Sequence, residues 1–355
     1  MLAIAAVVAS GLLLSACGLI SGKAPSAVQL TPSSTGAAGG TSAASAKPKP
    51  SASAGLRVSA DIDLGALSST AQPVAAEAPN GAVFYADGTV VMVVEGDKAP
   101  STAEHAGAKV LGLGASATTL YIVTQRGLTG YSRSTGNQTG HWALSGSPGP
   151  ATTAGVVVGG NGDVWVWTDW ATDASGYEYG LLYAVLPGVK AADTVSKQVE
   201  PGTLTTDGTH AFFLAPNTNS SGASLVEATA ETGGSQPVSV ATVAPAPTQA
   251  LVGFSHSQVI LFAQPDSLYR FTPGSTSITV VSAHAGQAVW VAGTNDGLLF
   301  LTCGKQTCDT VSQVDQSTGK SKHSLTVRAN SDILLGPDPA VLGVESDQLH
   351  LVRLS

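Results

Sequence analysis

Tyr131-Ser132-Arg133-Ser134-Thr135-Gly136 returns near the other end of the chain as Val314-Asp315-Gln316-Ser317-Thr318-Gly319. Each copy closes a short alternating run and stops on a glycine, the residue a tight turn tolerates best. Looser versions of the phrase run from Val90 to Gly96, Leu128 to Gly136, Leu181 to Gly188, Leu225 to Gly233, Leu268 to Gly274 and Val311 to Gly319. The steps between those glycines are 40, 52, 45, 41 and 45 residues. A second phrase precedes the first: a turn, then an apolar strand. Examples are Gly162-Asp163-Val164-Trp165-Val166-Trp167, Asp207-Gly208-Thr209-His210-Ala211-Phe212-Phe213 and Asp296-Gly297-Leu298-Leu299-Phe300-Leu301. The repeating unit is therefore strand a, turn, strand b, loop, strand c, glycine turn, strand d. Four strands in roughly 40 to 45 residues is the period of a β-propeller blade. A β-sandwich would also supply many short strands, but not this even spacing.

The ends of the repeat region predict a closed ring. After the sixth glycine turn and the strand Ser321 to Val327 come three more apolar runs, Ile333 to Gly336, Ala340 to Val344 and Leu349 to Leu354. A fourth strand is available at the start, where Leu56, Val58, Ala60, Ile62 and Leu64 alternate with Arg57, Ser59, Asp61 and Asp63. Strict alternation suits a half-buried outer strand. Adding it to the last unit would complete a ring and remove open edges. The expectation is an all-β chain with a single propeller over residues 56–355, of seven four-stranded blades, with six or eight as the alternatives.

These blade phrases resemble the quinoprotein-dehydrogenase-like and WD40-like propeller superfamilies. The resemblance spans residues 56–355 and rests on turn chemistry. Those superfamilies include enzymes, assembly factors and binding scaffolds, so the resemblance implies a fold and leaves the function open.

Ahead of the repeats lies an apolar segment from Met1 to Cys17, about the length of a signal-peptide core and short for a membrane span. Leu14-Ser15-Ala16-Cys17 resembles a bacterial lipobox, although no Lys or Arg precedes the apolar run. The resemblance implies a signal peptide over residues 1–16, a lipid on Cys17 and an extracytoplasmic, membrane-anchored product. Residues 17–55 are then a tether built mainly of Ser, Ala, Gly, Thr, Pro and Lys. Such a composition buries too little apolar surface to offset chain entropy. As a coil it would span on the order of 35 Å.

Composition narrows the partners. Lys and Arg number 16 against 24 Asp and Glu, for a formal net charge of −8, and the basic residues are scattered. Nucleic-acid binding needs clustered positive charge and is not expected. With 41 Gly and 11% charged residues, a helical bundle is also disfavoured.

Candidate chemistry is sparse. Cys303 and Cys308 flank Gly304-Lys305-Gln306-Thr307 between strands b and c of the sixth unit, a spacing that suits a disulfide in an oxidising compartment. The histidines at 105, 141, 210, 256, 284, 323 and 350 stand apart in sequence, with no ligand spacing, so no metal site is assigned. Gly112-Leu113-Gly114-Ala115-Ser116-Ala117 matches a loose dinucleotide pattern, but a strand follows where a helix N-terminus would be needed. It is expected to be a blade turn. Trp165 and Trp167 share one strand face and are expected between blades.

Aromatic residues also gather in Trp170, Tyr177 and Tyr179, inside a polar insertion, Asp169 to Gly180, between strands b and c of the third unit. The fourth unit enlarges the same connection from Pro216 to Gly222, with Asn217 and Asn219. These three aromatics and two amides are the candidate ligand-binding residues, on the face where b–c loops emerge. The expected function is binding or scaffolding by a membrane-anchored lipoprotein, with a protein, glycan or small molecule on that face. The alternative is a propeller enzyme, a quinone-dependent dehydrogenase, lactonase or lyase, with its site in the central channel. No catalytic residue or cofactor is assigned. The repeats also look similar to those of an outer-membrane assembly lipoprotein, whereas the Ala/Gly/Ser/Thr-rich composition favours a high-GC Gram-positive host.

Overall fold

The computed structural model describes residues 55–66, 73–145, 151–172, 178–200, 202–216, 223–230, 237–243, 250–255, 258–263, 267–275, 278–282, 287–294, 297–303, 308–315, 317–327, 331–336 and 338–355. They form seven four-stranded antiparallel sheets, the blades of a β-propeller. In chain order, blades 1 to 6 occupy residues 74–105, 112–142, 154–199, 205–243, 250–282 and 287–326. Each pairs its strands in sequence order, a-b-c-d.

Blade 7 is composite. Its strands a, b and c are Ser331–Leu335, Ala340–Glu345 and Gln348–Leu354, and its outer strand d is Val58–Ala66 from the other end of the domain. The registers Ile62↔Leu351 and Asp61↔Val352 close the ring, as the alternation around Ile62 predicted. Arg57 and Ser355 exchange backbone hydrogen bonds of 3.0 and 2.9 Å just past the pairing.

Strand b reads as an unbroken apolar run because neighbouring blades cover both of its faces. In Val83–Asp87, Val83 and Tyr85 pack with Leu342 and Leu351 of blade 7, while Phe84 and Ala86 pack with Leu113, Leu120 and Ile122 of blade 2. Blade 3 divides its side chains the same way. Val164, Val166, Leu181 and Tyr183 join Val123 and Leu128 of blade 2, whereas Trp165, Leu182 and Ala184 join Ala211 and Phe213 of blade 4. The period of two along a strand thus distributes one sequence between two interfaces. Trp165 is fully buried and Trp167 packs at the margin of its cluster, which places both between blades. Each such large side chain contributes about 1.5–3 kcal/mol.

The glycine turns between strands c and d have the expected backbone. Gly96, Gly136, Gly188, Gly274 and Gly319 have φ values from 59° to 81°. Gly233 lies outside the described residues. The two near-identical phrases also fold alike, with Gly136 N donating to Ser132 O and Gly319 N to Asp315 O, both at 2.8 Å.

The glycines of Gly112-Leu113-Gly114 call for a correction: Gly112–Ala115 is the innermost strand of blade 2, not a turn. A Cβ on Gly112 would meet the Ala154 carbonyl oxygen at 2.6 Å, and one on Gly114 would meet Val156 Cγ1 at 2.4 Å. The pattern reflects close approach of the inner strands of blades 2 and 3.

Candidate functional site

Antiparallel order puts the b–c and d–a loops on one face of each blade and the a–b and c–d turns on the other. On the b–c face, blade 3 carries an extended hairpin. Its strands b and c are Val164–Thr172 and Glu178–Val185, and their pairing runs out to Thr172↔Glu178. The expected polar loop from Asp169 to Gly180 is therefore mostly strand, because cross-strand pairing satisfies its backbone. A register shift falls between Asp169 and Ala171, at Trp170, a local device that redirects a strand.

Asp169 fixes the base of that hairpin. Its carboxylate accepts from Thr152 N at 2.9 Å, Thr153 N at 2.7 Å and Thr152 Oγ1 at 2.5 Å. Asp169 N in turn donates to Thr153 O at 3.2 Å. Thr152 and Thr153 belong to the d–a connection entering blade 3, so one carboxylate ties the two loop types of this face together. In blade 6 the Cys303–Cys308 disulfide joins directly paired residues where strands b and c leave the sheet.

The sequence-nominated residues meet the structure unevenly. Trp170 and Tyr179 lie on the hairpin strands, and their side chains lie outside the described set. Tyr177, Asn217, Asn219 and Cys17 also fall outside the described residues.

The opposite face holds three features that the sequence did not announce. The first is a cavity of about 430 Å³ between blades 1 and 2, lined by Phe84, Val93, Leu120 and Tyr131 and rimmed by Glu95, Glu104 and Arg133. Arg133 Nη1 donates to the carbonyls of Ser116 and Ala117 at 2.8 and 3.0 Å, and Nη2 donates to Asn80 Oδ1 at 2.9 Å. Its guanidinium also stacks over Phe84, 5.2 Å from the ring centroid. Burial lowers its pKa, and the Glu95 carboxylate works the other way. The available signal was a difference between near copies, arginine at 133 where the second phrase has Gln316.

The second is His210, which sequence spacing made look isolated. Its Nδ1 is 2.9 Å from Asp207 Oδ2, and its Nε2 is 3.7 Å from Glu227 Oε1. Asp207 also accepts the N–H groups of Thr209 and His210. Burial would raise the Asp207 pKa, but the His210 side chain and those N–H groups outweigh it and hold the carboxyl below its ordinary value. Because Nε2 faces a carboxylate rather than a hydroxyl, this arrangement braces the turn instead of forming a Ser–His–Asp relay. The motif was present in the quoted phrase as Asp207 and His210, three positions apart.

The third is the seam between blades 7 and 1. Glu77 Oε1 accepts Asp338 N at 3.2 Å, while Oε2 is buried without a hydrogen-bond partner. Burial and then the Asp338 carboxylate push the Glu77 pKa up to about 8. Arg353 closes the seam by donating to the carbonyls of Gly96 and Gly81, each at 3.1 Å. Among the described residues, no group of three or more His, Cys, Asp or Glu is placed to hold a metal ion.

The fold defines a β-propeller, and comparison with solved structures agrees. Hydrazine synthase of Kuenenia stuttgartiensis matches with a TM-score of 0.54 and 8% identity, over 82% of this chain and 96% of that one. YCF48 bound to D1 peptide matches at 0.53 and 13%, over 82% and 96%. BamB from Moraxella catarrhalis matches at 0.50 and 12%, over 84% and 88%. At these identities the likeness concerns the fold alone. No protein-family model matches the chain, and no curated protein matches it.

Proposed function

We propose that this chain is a lipid-anchored extracytoplasmic propeller that binds or scaffolds a partner through its b–c face. The observation that carries this reading is the blade 3 hairpin, which is secured at its base by Asp169 to the neighbouring d–a segment. A rigid projection on a rigid wheel presents contact residues at little conformational cost. The candidates there are Trp170, Tyr177 and Tyr179, with Asn217 and Asn219 on the neighbouring blade. Anchoring rests on the Leu14-Ser15-Ala16-Cys17 lipobox. The YCF48 structure, with its D1 peptide, supports the idea that such a wheel can carry a peptide.

The test is capture of partners from a membrane extract by the full chain, beside a variant with Trp170, Tyr177 and Tyr179 replaced by Ala. The expected result is loss of a partner in the variant with melting nearly unchanged. Equal capture by both proteins would remove this face from consideration.

A further inference from the structure

The cavity between blades 1 and 2 lies on the face opposite the proposed partner surface. Its walls are Phe84, Val93, Leu120 and Tyr131, and Thr102, Thr118, Ser132 and Ser134 also line it. A volume of about 430 Å³ is within the range of small-ligand sites, roughly 300–1,000 Å³.

The charges around it are unequally committed. Arg133 is a wall element: three of its N–H groups go to Ser116, Ala117 and Asn80, and its face lies on Phe84. Glu95 is bonded to Lys98 at 3.3 Å, with both side chains largely in water. Glu104 differs. Its Oε1 accepts the His105 N–H at 3.0 Å, and among the described residues it has no salt-bridge partner. Glu104 is close enough to Tyr131 to act on its phenol, whose pKa is raised by burial first and by this carboxylate second. An aromatic ring and a carboxylate with no salt-bridge partner among the described residues, lining a cavity with apolar walls, are complementary to a cation on an aliphatic stem. The ring attracts positive charge, and the stem covers apolar wall.

We propose that this cavity binds an alkylammonium group, free or on a lysine side chain, with the cation between Glu104 and Tyr131 and the stem along Val93 and Leu120. The site goes beyond the b–c face and does not depend on it.

The test titrates the full chain by calorimetry with three probes: cadaverine, the peptide acetyl-Gly-Lys-Gly-amide, and the same peptide acetylated on its lysine nitrogen. Saturable binding of the lysine peptide is expected, with none of the acetylated form. Cadaverine binding alongside it assigns recognition to the ammonium group itself, and its failure to bind assigns recognition to the side chain in a peptide. Both outcomes support the site. In Glu104→Gln, affinity for the lysine peptide should fall about tenfold or more, since a charge-assisted contact is removed. Equal binding of the acetylated peptide, no saturation by either ammonium probe, or undiminished binding to a folded Glu104→Gln protein would each overturn the proposal. The comparison of acetylated with free lysine needs no variant, so a folding defect in Glu104→Gln leaves the test intact.

Discussion

Replacing Glu77 with Gln tests the electrostatics of the ring closure. In the folded protein the Glu77 pKa stands at about 8, raised from an ordinary 4.5 by burial and by Asp338. The native state therefore holds this proton more tightly than the unfolded chain does. Its stabilising contribution is complete below about pH 4.5, declines as pH rises, and is gone above about pH 8. The difference between 4.5 and about 8 would amount to about 5 kcal/mol if it were fully expressed. Water reaches part of this side chain, so screening reduces the expected effect to about 2–3 kcal/mol. Glutamine keeps an acceptor for the Asp338 N–H and never ionises. Wild type and variant should consequently lie closest at pH 5, diverge steadily as pH rises towards about 8, and differ by a constant amount above that. By pH 8.5 the variant should be higher by about 4–12 °C, at roughly 2–4 °C per kcal/mol for a larger domain. Thermal melts followed by circular dichroism from pH 5 to 9 would show it. Parallel pH profiles for the two proteins would refute the placement of an ionisable, water-poor carboxyl at this seam.

Two further perturbations address packing and covalent closure. Gly112→Ala places a methyl group 2.6 Å from the Ala154 carbonyl oxygen, a backbone atom that cannot swing aside, and should cost about 1–3 kcal/mol in denaturant titrations. Replacing Cys303 and Cys308 with Ser opens a very short loop, sequence separation 5, and should cost about 2 kcal/mol on the chain-entropy account. Reductant should lower the wild-type midpoint to that of the variant and leave the variant's own midpoint unmoved.

Strands b and c were legible because they are buried from both sides, so apolar runs such as Val83 to Ala86 carry the signal without needing a partner's identity. The closing strand was legible for the opposite reason. Val58–Ala66 is outermost and covered on one side, and alternation about Ile62 marks that state. The inner strands were harder. Glycine in Gly112–Ala115 answers to Ala154 and Val156 in the next blade, and a reader of local pattern assigns it to a turn. The seam was illegible in principle: Glu77 and Asp338 are 261 residues apart, and neither has a neighbour in sequence that predicts the other. Only ring closure brings them together.

The same closure explains why the two faces of the wheel differ physically. On the turn face, long polar side chains reach across blade boundaries: Arg353 from blade 7 to Gly81 and Gly96 of blade 1, and Arg133 from blade 2 to Asn80 of blade 1. Blade 1 is thus held between two arginines, each donating to its turns, and the cavity beside Arg133 is walled by groups that cannot move independently. On the b–c face the side-chain fastening of the hairpin is local, from Asp169 to Thr152 and Thr153, while the bond between blades 2 and 3 there is backbone to backbone, Ala154 N to Leu111 O at 3.0 Å. A fixed cavity suits a small, repeatedly used group such as an ammonium. A projecting hairpin suits a surface whose shape differs from one partner to another. The two proposals thus draw on different faces of the wheel, and the Glu104 and Trp170/Tyr177/Tyr179 variants test them separately.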